Sequence, residues 1–140
     1  MQEELEQIER NQVWTLVSTP VDQNVVTTRW VFKNKLNANG KIVRNKVRLV
    51  AKGYIQEFGI DFEESYAPVA RLEVVRLLLA YAVSQKIKLY QMDVKSTFLN
   101  EYVNEEVYID QPLVFENTSH PDYVFKLKKA LYGLKQVLRA

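Results

Sequence analysis

The sequence predicts an α+β fold, because helical and strand-like patterns are mixed along its 140 residues. Leu72 to Gln85 carries apolar residues at helical spacing, which predicts the most secure helix. Thr27 to Lys35 is rich in β-branched and aromatic residues, and Ile42 to Tyr54 alternates basic with apolar residues, so both segments are predicted strands. The turn Asn37-Ala-Asn-Gly40 joins them, since Asn-Gly supplies the positive φ of tight hairpins.

The other predicted elements are shorter and are described in chain order. Residues 1–11 predict an acidic helix with Leu5 and Ile8 three positions apart on one face. Residues 56–68 are irregular and acidic, and Pro68 restrains the chain before the long helix. The rest of the prediction comprises strands at Ile87 to Val94, Glu106 to Asp110 and Tyr123 to Leu127, and a turn at Leu131 to Gln136 that leads into a helix.

Composition excludes several classes of protein. Hydrophobic residues make up 47% of the chain and charged residues 26%, which is enough for a core and argues against disorder. The longest apolar stretch, Leu77 to Val83, is too short to cross a bilayer, and the first residues show no secretory signal. Cysteine is absent and His120 is the only histidine. Any catalytic metal would therefore depend on carboxylates.

Charge is strongly segregated along the chain. Between Asp22 and Glu57 there are eight basic residues and no acidic one. A block of cations with this spacing suits a polyanion such as nucleic acid, because neutralised phosphates release condensed counterions. A solvated, lysine-rich hairpin face explains the charge pattern about equally well. The cations are Arg29, Lys33, Lys35, Lys41, Arg44, Lys46, Arg48 and Lys52.

One carboxylate, Asp93, follows an apolar strand-like segment. Burying it without a partner would cost several kcal/mol. At a strand end beside a cleft, such a carboxylate can hold a divalent cation for nucleotidyl transfer. An aspartate at this position can equally cap a following helix over Lys95 to Asn100, and the residue alone favours that structural interpretation.

A series of short motifs runs along the chain. The motifs are Arg48-Leu-Val-Ala-Lys-Gly-Tyr54, Gly59-Ile-Asp-Phe62, Ala67-Pro-Val-Ala-Arg71, Gln91-Met-Asp-Val-Lys95, Phe98-Leu-Asn100, Glu105-Glu-Val-Tyr108, Gln111-Pro112 and Ala130-Leu-Tyr-Gly-Leu-Lys-Gln136. In their order and approximate spacing, these motifs resemble copia-type reverse transcriptases. The resemblance covers nearly the whole chain, from about Asn11 to the last residue.

The resemblance implies part of a right-hand polymerase. Residues 1–26 are then an acidic helix and lead-in, residues 27–71 a fingers-like basic hairpin and loop, and residues 72–140 an incomplete palm. The family's palm also carries an adjacent Asp-Asp pair on a hairpin, and this sequence contains no such pair. We therefore expect the chain to end before that hairpin and to be inactive as a polymerase by itself. We also expect apolar palm surface to be uncovered.

The resemblance also implies roles for individual residues. Asp93 matches the first metal-binding aspartate, and Val94 would lend its backbone carbonyl to the metal. Phe98 matches the bulky residue that excludes a 2′-hydroxyl, and otherwise it is an ordinary core phenylalanine. Gln136 is a candidate nucleotide contact or, equally, a glutamine in the first turn of a helix. The best candidates among the cations for binding nucleotide or template phosphate are Lys33, Lys35, Lys46 and Arg48.

Several prominent residues are predicted to be structural. Trp14 and Trp30 are interpreted as packing anchors, and His120 as a surface residue. Tyr132 and Gly133 are predicted to shape a turn rather than to contact substrate. The acidic cluster at Asp61, Glu63 and Glu64 is predicted to form a solvated loop or to pair with Arg71.

The resulting hypothesis is a fragment of an RNA-directed DNA polymerase that uses two Mg²⁺ (or Mn²⁺) ions in its complete form. Its expected partners are an RNA or DNA template-primer, deoxynucleoside triphosphates, and the rest of the polyprotein, meaning the remaining palm, the thumb and RNase H. No membrane partner is expected. The expected location is the cytoplasm, in a virus-like particle, with the nucleus as a second site and no secretion. The alternative is a non-catalytic, nucleic-acid-binding remnant of a decayed element.

Overall fold

The computed structural model describes residues 1–63, 65, 70–92 and 97–138. In this part of the chain, two α-helices accompany a four-stranded sheet and a separate two-stranded hairpin, so the α+β prediction is confirmed. The helices are α1 (Gln2–Arg10) and α2 (Leu72–Ser84), and the strands are β1 (Trp14–Ser18), β2 (Val25–Val26), β3 (Thr28–Leu36), β4 (Ile42–Ala51), β5 (Tyr108–Ile109) and β6 (Tyr123–Leu127).

Helix α1 confirms the prediction for residues 1–11. Glu3 and Glu4 lie in its first turn and Arg10 in its last, an arrangement that suits the helix dipole. Leu5 and Ile8 are its buried residues, as their spacing predicted. Through this face, α1 packs against β4.

The four-stranded sheet has the order β1-β6-β5-β2. Its β1–β6 and β6–β5 pairs are antiparallel, whereas β5–β2 is parallel. Strand β6 was predicted with its observed bounds, and β5 is a shorter form of the strand predicted at Glu106 to Asp110. Strands β1 and β2 were not predicted. They bring the N-terminal segment beside the last described third of the chain.

The hairpin β3–β4 projects from this sheet and closes through the predicted turn. The side-chain Oδ1 of Asn37 accepts hydrogen bonds from the backbone N–H groups of Asn39 (3.0 Å) and Lys41 (2.9 Å). Gly40 has a φ of +74°, a backbone conformation that residues other than glycine rarely adopt. Strand β4 ends at Ala51 rather than at the predicted Tyr54, because a 3-10 turn over Gly53–Ile55 follows it.

A single hydrophobic cluster joins α1, the root of the hairpin and the C-terminal described residues. This shared core positions the hairpin relative to the turn at residues 131–136. Its residues that are essentially inaccessible to solvent are Ile8, Val13, Val26, Leu49, Leu99, Ile109, Ala130 and Leu131.

Helix α2 is well formed but lies apart from that core. Leu77 is 72% exposed and Val83 79% exposed, and Ala82 is the one residue of the helix that is buried. The expected uncovered apolar surface is therefore present on α2. The strand predicted at Ile87 to Val94 is wrong over residues 87–92, which form no ladder and leave Ile87 exposed. A strand requires a neighbour with which to bond, and none lies beside this segment in the described part of the chain.

Some predicted features lie outside the described residues. These include the metal-binding candidates Asp93 and Val94, as well as Glu64 and Pro68 of the acidic loop. No helix in the described ranges has both the length and the apolar character that a membrane span requires.

Candidate functional site

The four predicted phosphate-binding cations lie on one face of the hairpin. Cross-strand partners in an antiparallel ladder share a face, and alternate residues along a strand return to it. Lys33 pairs with Lys46, and Lys35 pairs with Arg44. Arg48 pairs with Val31, two positions before Lys33, so its side chain lies on that face too. We call this set the basic face: Arg29, Lys33, Lys35, Arg44, Lys46 and Arg48.

The opposite face of the hairpin is apolar near its root and polar farther out. Trp30 pairs with Leu49, Phe32 with Val47, and Asn34 with Asn45. The Trp30 indole N–H donates to the carbonyl oxygen of Leu113 (3.3 Å), and its ring meets Phe115 edge-on. The root is thus packed on this side. On the basic face, Lys33, Lys35 and Arg44 are exposed, whereas Lys46 and Arg48, nearer the root, are half-buried.

Burial and the neighbouring positive charges both lower the pKa of one lysine on the basic face. Burial lowers the pKa of Lys46, and the neighbouring charges of Arg48, Lys35 and Arg44 lower it further, while Glu4 opposes the shift. Among the described residues the one salt bridge joins Lys126 to Glu106, away from this surface. Glu4 is thus the carboxylate that partly offsets the charge of Lys46 and Arg48, and it forms no salt bridge with either. The six cations of the basic face therefore keep a net positive charge, which favours binding of an external anion.

At the root of the basic face, Arg48 meets an aromatic pair. The Arg48 guanidinium carbon lies 4.7 Å from the centroid of the Tyr132 ring, a cation–π contact. The Tyr132 ring also meets the Phe98 ring edge-on, with 5.5 Å between centroids and 89° between planes. Phe98 lies in a 3-10 turn over Thr97–Asn100. The structure therefore brings the predicted phosphate contact Arg48 and the predicted sugar contact Phe98 onto a single tyrosine.

The turn that carries Tyr132 is docked tightly on the end of β4. The carbonyl oxygen of Tyr132 accepts a hydrogen bond from the Ala51 backbone N–H at 2.7 Å. Gly133 adopts a φ of +96°, and a Cβ there would lie 2.2 Å from the carbonyl oxygen of Ala51. Glycine is thus required for the backbone conformation as well as for the close approach. The prediction that Tyr132 and Gly133 shape a turn is confirmed.

Gln136, the predicted nucleotide contact, is only 2% exposed. Its Oε1 accepts a hydrogen bond from Nε2 of Gln56 at 3.2 Å, and its Nε2 donates to the carbonyl oxygen of Asp61 at 3.5 Å. Gln56 in turn accepts the backbone N–H of Lys135 at 3.0 Å. Both the oxygen and the nitrogen of the Gln136 side-chain amide therefore make hydrogen bonds within the protein. A contact between Gln136 and nucleotide stays a prediction, and this conformation does not favour it.

Other predicted residues take structural positions. Trp14 stacks on Phe125 with 4.3 Å between ring centroids, which confirms it as a packing anchor. His120 is exposed, as predicted. Asp61 belongs to a loop, where its Oδ2 accepts from Nδ2 of Asn24 (2.9 Å) and from the backbone N–H of Glu57 (2.8 Å). The described residues contain no group of three or more histidine, aspartate or glutamate side chains that could hold a metal ion.

The Gln111 side chain gives the Gln111-Pro112 motif a structural role. Its Nε2 donates to the backbone carbonyl oxygens of His120 (2.9 Å) and Tyr123 (2.8 Å), and its Oε1 accepts the backbone N–H of Asn117. A buried side chain thereby closes the loop between β5 and β6. The Gln111-Pro112 motif thus stabilises the fold and lies outside the basic face.

Sequence reasoning missed the role of Tyr132 as the residue shared by Arg48 and Phe98. An aromatic residue directly before a glycine indicated a turn, and nothing local indicated the ring's partners. Those partners lie 84 and 34 positions away along the chain, so their contacts arise from tertiary packing. The one available signal was that Tyr132 lies in the same motif as Gln136, a predicted nucleotide contact.

The comparisons with known proteins identify the family of this chain. Residues 11–140 match the family described as "Reverse transcriptase (RNA-dependent DNA polymerase)". This chain belongs to that reverse transcriptase family, and the resemblance to copia-type elements is confirmed. No solved structure matches the chain.

Three of the relatives are Pol polyproteins from transposons of plants. The chain is 42% identical, over 99% of its length, to the retrovirus-related Pol polyprotein from transposon TNT 1-94 of Nicotiana tabacum. It is 43% identical, over 93% of its length, to those from transposons RE2 and RE1 of Arabidopsis thaliana. The chain spans 10% of the first relative and 9% of the other two. It therefore corresponds to one segment of a Pol polyprotein.

Proposed function

We propose that this chain forms the nucleotide-binding side of an RNA-directed DNA polymerase within a copia-type Pol polyprotein. The hairpin β3–β4 is the fingers element of a partial right-hand polymerase, and residues 72–140 belong to its palm. The proposal rests on the basic face, where Lys33, Lys46 and Arg48 lie together and form no salt bridge with a carboxylate of the described chain.

The ligand of the basic face is a phosphate-bearing one. Each lysine or arginine that meets a phosphate releases counterions, and such contacts strengthen when several cations act together. Arg48 presents a fork of N–H donors that suits phosphate oxygens, whereas Lys33 and Lys46 act as point charges. In the complete polymerase these residues bind the triphosphate of a deoxynucleotide and the template phosphates that adjoin it.

Phe98 discriminates between sugars in this proposal. Its ring is half-buried and is held edge-on by Tyr132, so it is a rigid wall rather than a mobile side chain. An aromatic ring at the sugar fills the space that a 2′-hydroxyl would need. Ribonucleotides are then excluded sterically, and deoxynucleotides are the preferred substrates.

Divalent metal binding is assigned to Asp93 and Val94. A carboxylate oxygen and a backbone carbonyl oxygen are hard ligands, which suit Mg²⁺ or Mn²⁺. When bound, the metal supplies charge neutralisation at the reacting phosphate. Two such ligands do not complete a polymerase site, and the sequence has no Asp-Asp pair. We therefore expect no product from this 140-residue chain in a primer-extension assay with Mg²⁺ or Mn²⁺.

The remaining partners follow from this assignment. Template-primer and deoxynucleoside triphosphates are the ligands, and the other parts of the Pol polyprotein (palm, thumb and RNase H) complete the enzyme. The proposed location is a cytoplasmic virus-like particle, with access to the nucleus. Exposed apolar residues of α2, such as Leu77 and Val83, are available to contact those other parts.

Binding of a fluorescent single-stranded oligonucleotide, followed by anisotropy against salt concentration, tests the basic face. The double variant Lys33→Ala/Lys46→Ala should bind more weakly and reduce the slope of log affinity against log salt by about 1.4, at roughly 0.7 per lost phosphate contact. The matched control is Lys88→Ala/Lys128→Ala, which removes the same charge from two exposed lysines outside the hairpin. Equal losses in both variants would contradict a site on the basic face.

Mg²⁺-dependent binding of dATP tests the polymerase assignment against plain nucleic-acid binding. Asp93→Ala should abolish the part of dATP affinity that depends on Mg²⁺, because the variant lacks the proposed carboxylate ligand. Asp22→Ala, at an exposed residue of the N-terminal segment, is the charge-matched control. If Asp93→Ala leaves the Mg²⁺ dependence unchanged, the chain is a non-catalytic binder instead.

A further inference from the structure

The Tyr132 side chain touches one residue from each half of the proposed nucleotide site. The Arg48 guanidinium, from β4, lies 4.7 Å from its ring centroid, and the Phe98 ring, from the turn over Thr97–Asn100, lies 5.5 Å away. Arg48 belongs to the proposed phosphate contacts and Phe98 is the proposed sugar contact. The Tyr132 ring thus connects the proposed phosphate contact with the proposed sugar contact, although Arg48 and Phe98 belong to different sequence motifs.

The position of the Tyr132 ring is fixed by its backbone. Its carbonyl oxygen accepts the Ala51 N–H at 2.7 Å, and the flanking Leu131 is fully buried. Gly133 follows at a φ of +96° with no room for a Cβ beside Ala51. Ala51 ends β4, the strand that carries Arg48. The backbone of Tyr132 is therefore docked beside that strand, at the position from which its ring contacts Arg48.

The contact orients Arg48 without consuming its hydrogen bonds. The ring attracts the positive charge of the guanidinium, whereas its N–H donors remain for phosphate oxygens. Among the described residues, the Arg48 side chain makes no hydrogen bond or salt bridge, and Glu4 acts on it only by longer-range attraction. Arg48 is half-buried, so the attraction is stronger than at an exposed site.

We propose that Tyr132 is a positioning residue that couples triphosphate binding to sugar discrimination. It holds Arg48 towards the phosphates and Phe98 towards the sugar, so that both contacts form a single pocket for a deoxynucleoside triphosphate. This inference rests on the proposed function and adds a specificity-determining residue to it. Its consequence is that a change at the phosphate end of the pocket alters the choice of sugar.

Equilibrium dialysis with radiolabelled dATP and ATP, in Mg²⁺ at low salt, measures the coupling on the 140-residue chain. We expect the unsubstituted chain to prefer dATP and Tyr132→Phe to keep both affinity and preference, because the ring remains. Tyr132→Leu should weaken dATP binding about fivefold, in line with the loss of a partly buried cation–π contact. It should also reduce the ratio of dATP to ATP affinity towards one.

If Tyr132→Leu does not fold, a second variant tests the same coupling between phosphate binding and sugar preference. Arg48→Gln removes the cation from the half-buried contact but leaves both rings, and it is expected to lower affinity for both nucleotides and also the dATP preference. Tyr102→Leu is the matched control, since Tyr102 has a lysine, Lys129, over its ring at 5.4 Å and lies outside the site. It should change neither affinity nor preference.

The outcomes separate the two proposals. If the unsubstituted chain prefers dATP and neither Tyr132→Leu nor Arg48→Gln changes that preference, the coupling through Tyr132 is wrong and the nucleotide site stands. If the unsubstituted chain binds neither nucleotide, the proposed function is contradicted and the inference with it. Loss of preference in Tyr132→Leu and Arg48→Gln, but not in Tyr132→Phe or Tyr102→Leu, supports both.

Discussion

Gly53 and Gly133 pack against each other so closely that a Cβ on Gly53 would lie 2.1 Å from the carbonyl oxygen of Gly133. Gly53 follows the end of β4, and Gly133 lies in the turn that carries Tyr132. The two backbones therefore meet without any side chain between them. This contact fixes the root of the basic hairpin against the turn, and through that turn against Phe98.

Substituting either glycine should destabilise this junction. Gly133→Ala combines a positive φ with a Cβ 2.2 Å from the Ala51 carbonyl oxygen, so we expect a loss of at least about 2 kcal/mol in the free energy of unfolding. Gly53→Ala introduces the steric overlap alone. The free energies of unfolding can be obtained from urea denaturation followed by tryptophan fluorescence.

Gly59→Ala is the matched control for backbone strain. Gly59 has a φ of +82°, but a Cβ there would have no atom within 4 Å. Its substitution should cost about 1 kcal/mol from conformation alone. A Gly133→Ala variant no less stable than Gly59→Ala would contradict the close packing at the hairpin root.

The buried Gln56–Gln136 pair should behave as a coupled unit. Gln136→Leu leaves Nε2 of Gln56 without its acceptor, and we expect a cost of about 1–3 kcal/mol. Gln56→Leu should cost more, because the backbone N–H of Lys135 also loses its acceptor. A double-mutant cycle measured by denaturation should show coupling, with the double variant losing less than the sum of the single variants. Strict additivity would argue against the pair.

Stability should rise on mild acidification because of Glu4. Burial raises the pKa of the Glu4 carboxyl above its ordinary 4.5, and Arg48 opposes the shift by attraction. Its Oε1 is a buried oxygen without a hydrogen-bond partner among the described residues. The folded state therefore holds the proton more tightly than the unfolded state. The resulting stabilisation is fully present below pH 4.5 and is lost as pH rises through the higher, folded-state pKa.

Glu4→Gln should remove that part of the pH dependence. At neutral pH it is expected to raise the thermal midpoint, since the buried group no longer carries a charge, and the gain should shrink as pH approaches 4.5. Glu6→Gln, at an exposed position on the same helix, is the control for charge and helix propensity. An equal effect of both substitutions at every pH would rule out the burial of Glu4 as the cause.

The exposed apolar residues of α2 predict self-association of the free chain. Leu77→Lys/Val83→Lys should reduce it with little effect on the thermal midpoint, because Leu77 is 72% exposed and Val83 79% exposed. Sedimentation velocity and thermal melts measure the two properties. By contrast, Leu49→Ala, within the core, should cost about 2–5 kcal/mol. A large fall in the midpoint of the double lysine variant would mean that α2 is packed in solution.

Much of the local structure could be predicted because it is encoded locally. The Asn-Gly turn and the alternation of Ile42 to Ala51 defined the hairpin, and helical spacing defined α2. The missed strand β2 has only two residues and exists through a parallel pairing with β5, more than 80 positions later. Such pairing leaves no local pattern. The strand predicted from Ile87 failed for the same reason, since apolar composition alone did not supply a neighbour.

The candidate site could be predicted in part. Lys33 and Lys35, like Lys46 and Arg48, are two positions apart, so alternation on a strand already placed each pair on one face. Their alignment across the hairpin depended on the register, which brings Lys33 opposite Lys46. The contacts of Tyr132 and the burial of Gln136 depended on tertiary packing between distant segments. For that reason sequence patterns indicated the phosphate-binding face but not the residue that connects it to Phe98.

We propose that the hairpin root, Tyr132 and Phe98 form one pocket for a deoxynucleoside triphosphate. This claim can be tested by titrating the isotopically labelled chain with Mg²⁺ and dATP and following the amide and aromatic NMR shifts. We predict saturable shifts concentrated at Lys46, Arg48, Phe98 and Tyr132, with little change at β6. Shifts centred on the lysines at 126–129, or spread over every cation without saturation, would contradict the claim.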